Sequence, residues 1–424
     1  MFDRIALAFK LPDLRRKIFF VVAILVIFRL VAAIPVPGAD PDRLRDFLSG
    51  SQFFGLLNIF SGGVLENLSV VMLGVGPYIT ASIIMQLLTM IFPRLKELYH
   101  EEGEAGRARF NQYARFLTVP LAFLQAYGLL IILTSRQILV LDAFGYATAM
   151  VTAAAGTIFL MWLGELISEK QIGNGVSLLI FAGIVSRLPL DLRQAFLAAN
   201  PFEDPSLIPL YLAFIAVAIV VIAGVVVITE GQRNVPVSYA KRIRGNRVFG
   251  GVETHLPLRV NQAGVIPIIF AISIILFPGL IGQFLTAVSN PTVQAIGERL
   301  IRLLNNQALY GAFYFTLVFL FTYFYTAVTF DPQAIATNVQ KQGGFILGIR
   351  PGRPTAEHLA HILNRITLFG ALFLGAIAIL PLLLQAGFGL SALTIGGTSL
   401  LIVVSVVLET LKQINAQLVM HEYE

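Results

Sequence analysis

LIPLYLAFIAVAIVVIAGVVVIT, residues 207–229, holds no charged side chain in its whole length. Wound as a helix it measures about 34 Å, enough to cross the roughly 30 Å hydrocarbon core of a bilayer. Working outward, apolar runs recur at 18–34, 74–92, 117–133, 147–166, 175–188, 264–285, 309–329, 366–384 and 393–411. The composition agrees: the 424 residues are 57% hydrophobic and 13% charged, with a mean hydropathy of +0.80. A soluble domain carries about 25% charged residues. The expected fold class is therefore an all-α polytopic membrane protein with ten transmembrane helices. The run at 18–34 imitates a signal peptide, since basic residues precede it and it ends in Ala32-Ala33. Nine spans follow it, so it reads as an uncleaved first helix. The run at 175–188 is short for a crossing and is either little tilted or extended at one end.

Lysine and arginine orient the spans. The N-terminus, the connections 2/3, 4/5, 6/7 and 8/9, and the C-terminus hold 22 of the 30 basic residues; the other connections hold seven, and Arg29 lies inside the first span. Basic loops stay in the cytoplasm, so both ends are expected there. The formal charge of +6 is thus explained by topology rather than by nucleic acid.

Ten spans divide into five and five, residues 1–206 and 207–424. Five is odd, so a five-span repeat must run through the membrane inverted relative to its copy, as in many transporter folds. A local echo fits this division: Gly74-Val75-Gly76-Pro77-Tyr78-Ile79 opens the second span and Gly264-Val265-Ile266-Pro267-Ile268-Ile269 the seventh. Chance likeness between apolar strings is the competing account. The matched Gly and Pro weigh more than the matched Ile, because they punctuate helices.

Between the first two spans, Phe53-Phe54-Gly55-Leu56-Leu57-Asn58-Ile59-Phe60 precedes Ser61-Gly62-Gly63. Eight helical residues rise about 12 Å, too little to cross. Two accounts stand: a half-helix re-entering a cavity from outside, or an interfacial helix on the outer surface.

Several chemistries are missing. The chain has no cysteine, and its histidines (His100, His255, His358, His361, His421) fall in polar connections without partner ligands, so no metal site is expected. Arg29 is the one ionisable group well inside a span; Arg187, Glu165, Glu230 and Glu409 lie at or beyond span ends. Ion-coupled transporters need carboxylates or histidines at mid-membrane. No Walker A, His-Glu-x-x-His or Gly-x-Ser-x-Gly pattern occurs. The chain is expected to be no enzyme and to need no cofactor, with any driving energy supplied by a partner.

Five separated motifs then resemble one family: Pro77-Tyr78-Ile79-Thr80-Ala81-Ser82-Ile83-Ile84, Ile172-Gly173-Asn174-Gly175, Ala263-Gly264-Val265-Ile266-Pro267, Gly348-Ile349-Arg350-Pro351-Gly352 and Gly396-Gly397-Thr398-Ser399-Leu400-Leu401. They are similar to the SecY family, channel subunits of the bacterial protein-translocation complex. The resemblance implies an hourglass pore between two five-helix halves that opens sideways into lipid. It passes unfolded secretory polypeptides and releases hydrophobic segments laterally. It also implies that residues 53–67 form a plug, with Phe54, Leu57, Asn58, Phe60, Ser61 and Gly62 within it.

The implied pore ring is Ile79, Ile83, Ile180, Ile184, Ile269 and Ile402. An apolar constriction passes every side-chain type without binding it and dewets when empty, which resists ion leakage. Isoleucine, stiff at χ1, suits a gasket of fixed radius. The implied lateral gate carries Ser82, Gln86, Gln125 and Ser273, whose ordinary role is interhelical hydrogen bonding worth about 0.6 kcal/mol each. The long basic connections at 230–262 and 330–365 would dock a SecA-type ATPase or a ribosome, partly through phosphate, with Arg244, Arg247 and Arg350 as contacts. SecE- and SecG-like small subunits, secretory and membrane protein substrates, and lipid complete the implied partners. Two departures stand out. The 6/7 tip reads Gly245-Asn246-Arg247 where many relatives have consecutive basic residues, and the chain stops at Glu424 without the family's basic tail. The other function classes are an inverted-repeat transporter or facilitator and a non-pore membrane insertase.

Overall fold

The computed structural model describes residues 9–36, 44, 58, 61, 63–65, 68–100, 102–135, 137–198, 208–239, 242–244, 247–249, 253–288, 290–388 and 397–422. In chain order the helices before the first strand are α1 (Pro12–Ala32), α2 (Gly76–Ile91), α3 (Pro93–His100), α4 (Gly103–Ser135), α5 (Ala143–Glu169), α6 (Gly175–Ala198) and α7 (Ile208–Glu230). The strands β1 (Gln232–Tyr239), β2 (Arg242–Arg244), β3 (Arg247–Phe249) and β4 (Glu253–Arg259) follow. The chain continues through α8 (Ile266–Ala287), α9 (Pro291–Asn305), α10 (Gln307–Thr329), α11 (Pro332–Lys341), β5 (Gly344–Phe345), α12 (Arg353–Phe388) and α13 (Gly397–Glu422). Proline occupies the first or second position of α1, α2, α8, α9 and α11, where its fixed φ and missing donor are free of cost.

The protein is a multi-pass membrane protein, and each expected span falls on a helix. Among the described residues, seven helices (α4, α5, α7, α8, α10, α12 and α13) are individually long and apolar enough to cross, and α2 with α3 makes an eighth. The two remaining spans differ from simple expectation. Helix α1 reaches 21 residues only by including Asp13, Arg15, Arg16 and Lys17 in its first turns. The apolar part of α6 covers Gly175–Leu190, but the helix runs on past Pro189 to Ala198. The short fifth span is therefore extended at its C-terminal end.

Helix α2 is only 16 residues long, about 24 Å, so it begins below the membrane surface. Pro93 pushes Phe92 into an extended conformation (φ −107°, ψ 108°), and the chain turns 116° into α3. At the other end, residues 68–75 form irregular backbone. Leu68, Ser69, Val71, Met72, Leu73 and Val75 are all buried, as backbone outside helical geometry at membrane depth must be. Its polar groups pair across to the end of α1: Val36 N–H donates to Leu68 C=O (2.7 Å) and Val70 N–H to Ile34 C=O (3.0 Å).

The sequence echo is also an echo of geometry. Gly74 has φ 59° and Gly264 φ 61°, a left-handed turn that glycine enters without strain. Val75 and Val265 then cap α2 and α8 at φ −91° each, and Ile79 and Ile269 donate their N–H groups to those valine carbonyls (3.1 and 3.2 Å).

The connections before α8 and α12 join rather than hang free. β1 pairs antiparallel with β4, and β5 adds to its other edge, giving the order β4-β1-β5. Alternate residues Val235 and Val237 turn inward onto Leu258, Ile346, Leu359, Ile362 and Ile366, the period-two burial of a one-faced sheet. On the same face the chain ends meet. Lys17 Nζ donates to Gln417 Oε1 (3.3 Å), Gln417 Nε2 donates to the Gln171 carbonyl (2.8 Å), and Leu14 packs on Leu418. Lys412 pairs with Glu230 (2.8 Å), two residues before β1. Such a meeting fits an even number of crossings.

The turn between α5 and α6 shows why Ile172-Gly173-Asn174-Gly175 reads as it does. Asn174 Oδ1 accepts the Ser177 N–H (3.1 Å) as a helix cap, and Gly175 N–H donates to Ser168 Oγ (2.9 Å). A Cβ on Gly175 would overlap the Gly164 carbonyl oxygen, so α5 and α6 meet backbone to backbone. Gly175→Ala is expected to destabilise the protein by about 1–3 kcal/mol through overpacking. Gly128→Ala, where nothing lies within 4 Å of the added Cβ, is the control. Thermal unfolding in detergent checks this: equal midpoints for both variants would remove the close approach from the packing account.

Candidate functional site

The six isoleucines come from four helices: Ile79 and Ile83 from α2, Ile180 and Ile184 from α6, Ile269 from α8 and Ile402 from α13. The pairs on α2 and α6 are four residues apart and share a helix face. Helix α2 packs on α8, and α6 packs on α13. All six side chains are buried, with exposures between 0% and 8%, in one apolar cluster. Among the described residues no charged side chain is fully buried; the buried polar ones are Ser, Thr, Asn and Gln, Ser273 and Thr80 among them. Among the described residues no three His, Asp or Glu side chains come together to hold a metal.

Of the expected plug residues, Phe54, Leu57, Phe60 and Gly62 lie outside the described residues. Asn58 and Ser61 are each 4% exposed. The Asn58 carbonyl accepts from Ser61 Oγ (2.9 Å) and from Gly63 N–H (2.7 Å), closing a tight turn. Ser61 sits against the foot of α2, since a Cβ on Gly74 would meet its Cα at 2.6 Å. Three residues on, Val64 enters the same apolar cluster as the six isoleucines. This end of the short segment is thus embedded in protein.

The polar residues expected beside the constriction lie on α2, α4 and α8. Helix α8 touches both α2 and α4 and packs on α10. Ser82, half-buried, hydrogen-bonds the Tyr78 hydroxyl. Gln125 is half-buried next to Gly76, and Ser273 is 4% exposed. Gln86 is half-buried, yet its Oε1 is enclosed and meets no hydrogen-bond partner among the described residues.

On the face carrying the sheet, Arg244 and Arg247 stand opposite each other in the β2–β3 pair. Arg350 is exposed, a few residues beyond β5, and its carbonyl accepts from Thr355 Oγ1 (2.9 Å). The structure thus does not bring the arginines to the constriction. It sets Arg350 beside an ordered three-stranded sheet, and that sheet is the feature sequence reading missed. Its signal was present in the alternation of Val235 with Val237 and Leu256 with Leu258. Helix α9 was also missed; Val293, Gly297, Leu300 and Leu304 carry its helical spacing.

Known proteins share both this sequence and this geometry. Residues 69–411 match the family model described as SecY. The protein translocase subunit SecY of Streptomyces galbus is 44% identical, covering 100% of this chain and 99% of that protein. The corresponding subunit of Corynebacterium glutamicum is 45% identical over 98% of each. Among solved structures, one described as a protein conducting channel superposes with a TM-score of 0.63 at 20% identity, covering 94% of this chain and 91% of that one. Sec61 in a canine ribosome–channel complex from the endoplasmic reticulum gives 0.60 at 19% identity, with the same coverage. The likeness in fold therefore extends to distant channels, and the likeness in sequence assigns the chain: it belongs to the SecY family.

Proposed function

We propose that this chain is the pore-forming subunit of a Sec-type protein translocase, passing unfolded polypeptides across a bacterial inner membrane and releasing hydrophobic segments sideways into lipid. The single observation that carries the reading is the burial of Ile79, Ile83, Ile180, Ile184, Ile269 and Ile402 in one apolar cluster drawn from four helices. Such a constriction grips no particular side chain and holds back ions by staying dry. A coupled transporter would place ionisable ligands there, and an insertase without a pore would have no use for a seal.

The remaining assignments rest on the same frame. Ten crossings in two inverted fives, 1–206 and 207–424, accord with the shared face of the two ends and with the matched turns at Gly74 and Gly264. The sheet-bearing face is cytoplasmic by its basic residues. Residues 53–67 act as the plug, a reading supported by the burial of Asn58, Ser61 and Val64 beneath α2. The lateral gate runs between α2/α4 and α8/α10. Its unpaired Gln86 oxygen costs about 1–3 kcal/mol, which leaves the seam easier to part than an all-apolar one. Arg244, Arg247 and Arg350 would meet a motor ATPase or ribosome. SecE- and SecG-like subunits would cover exposed faces such as α7, where Val225 alone is buried among the described side chains. The chain makes no covalent bond in this scheme; its partners supply the energy.

Replacing Ile79 and Ile269 together with Ser is expected to wet the constriction and raise resting ion conductance about tenfold or more. Single-channel recording checks this, and unchanged resting conductance would count against the ring. Arg350→Glu is expected to lower partner-driven translocation into inverted vesicles while the amount of chain in the membrane stays constant. Normal transport would remove Arg350 from the docking surface.

A further inference from the structure

On the face opposite the sheet, a polar cavity of about 600 Å³ opens between three helices. Ser135 closes it at the end of α4, Gln283 and Thr286 at the end of α8, and Gln294 and Asn305 along α9. Glu298 and Arg302 also line it, one charge of each sign, so the cavity has no net charge with which to select an ion. The amides of Gln283 and Gln294 take no hydrogen bond among the described residues, while the hydroxyls of Ser135 and Thr286 donate to their own helices (2.9 and 2.7 Å) and keep oxygen lone pairs free. Unused amides and hydroxyl acceptors around a neutral, open cavity suit the backbone of an extended peptide, whose N–H and C=O groups alternate.

The position of the cavity selects which peptide. Helices α4 and α8 meet across the seam and both line the cavity, so the cavity is the seam's mouth on that face. Gln283 lies fourteen residues along α8 from Ile269, a rise of about 21 Å. A signal sequence has a basic leading segment, an apolar stretch of about 7–15 residues and then a short run of small and polar residues. The basic segment stays cytoplasmic, and a helical apolar stretch beside α8 rises about 10–22 Å. The small polar run then emerges at the cavity. Helix α9 holds the cavity in register with the seam, because Gly297 packs on the Gly282 carbonyl of α8.

We propose that this cavity is a binding subsite for the polar segment that follows the apolar core of a signal sequence, held there by main-chain hydrogen bonds to Gln283 and Gln294. The inference rests on the channel reading above. Because the chain has no cysteine of its own, disulfide trapping tests it directly. Gln283→Cys, Gln294→Cys, Ser273→Cys and Thr292→Cys, an exposed position of α9 that does not line the cavity, are each placed singly in the complete membrane complex. A stalled secretory precursor then carries one cysteine, either within the apolar core or three residues beyond it. The expected result is that the distal cysteine pairs with positions 283 and 294 several-fold more than with 273 or 292, and the core cysteine pairs with 273. Core pairing at 273 with distal pairing no stronger at 283 and 294 than at 292 would overturn the subsite and leave the channel reading intact. Loss of pairing at 273 as well would overturn both.

Discussion

Backbone that leaves helical geometry inside a bilayer has to find its hydrogen bonds within the protein, because lipid offers none. Much of this structure follows from that requirement at residues 68–75. The segment is irregular, so the chain just past α1 lends it a carbonyl at Ile34 and an amide at Val36. It is buried, so α2 cannot start at the membrane surface and is left with 16 residues. A helix that begins at depth carries its first turn, and hence Ile79 and Ile83, into the interior of the bundle. The proposed constriction thus owes its level to a stretch of chain that is no helix at all.

A second start of the same design stands at Gly264. The left-handed glycine, the valine cap and the proline in the first turn begin α8 in the same way as α2, and each isoleucine falls five residues after its glycine. Two helices built alike at their N-termini and packed on each other bring Ile79 and Ile269 into one cluster. Proline before Ile79 and Ile269 removes a donor where the helix has no acceptor to give, so the two helix starts are rigid at little cost.

The spans were legible because a run without charge has one stable solvent, and the ends of such runs are marked by Gly, Pro and basic residues. The proposed ring rests on family likeness, since an isoleucine facing a constriction and one facing lipid have the same neighbours in sequence. The strands at 232–239 and 253–259 were obscured by Pro236 and Pro257 and by six basic residues between 230 and 263, which read as a solvated loop. Their partner Gly344–Phe345 lies across several helices in sequence, and two residues carry no periodic signal of their own. The first helix was legible as a span yet remains charged over its first turns, since Lys17 is drawn into the clasp with Gln417.

The sheet gives the proposed docking surface a mechanical consequence. β4 ends at Arg259, and α8 starts seven residues later at Ile266. The intervening chain is tied down: Val260 N–H donates to the Gly231 carbonyl (2.8 Å), and the buried Asn261 donates from Nδ2 to the Gly264 carbonyl (3.2 Å). The opposite edge strand, β5, is followed within five residues by Arg350. In the proposed channel a partner bearing on Arg350 therefore loads a hydrogen-bonded sheet whose far strand feeds α8 through a short, internally bonded link. Free loops would absorb such a load in backbone rotation; a paired sheet passes it on to α8, and so to Ile269 and Ser273, which face the seal and the seam respectively in the proposed channel.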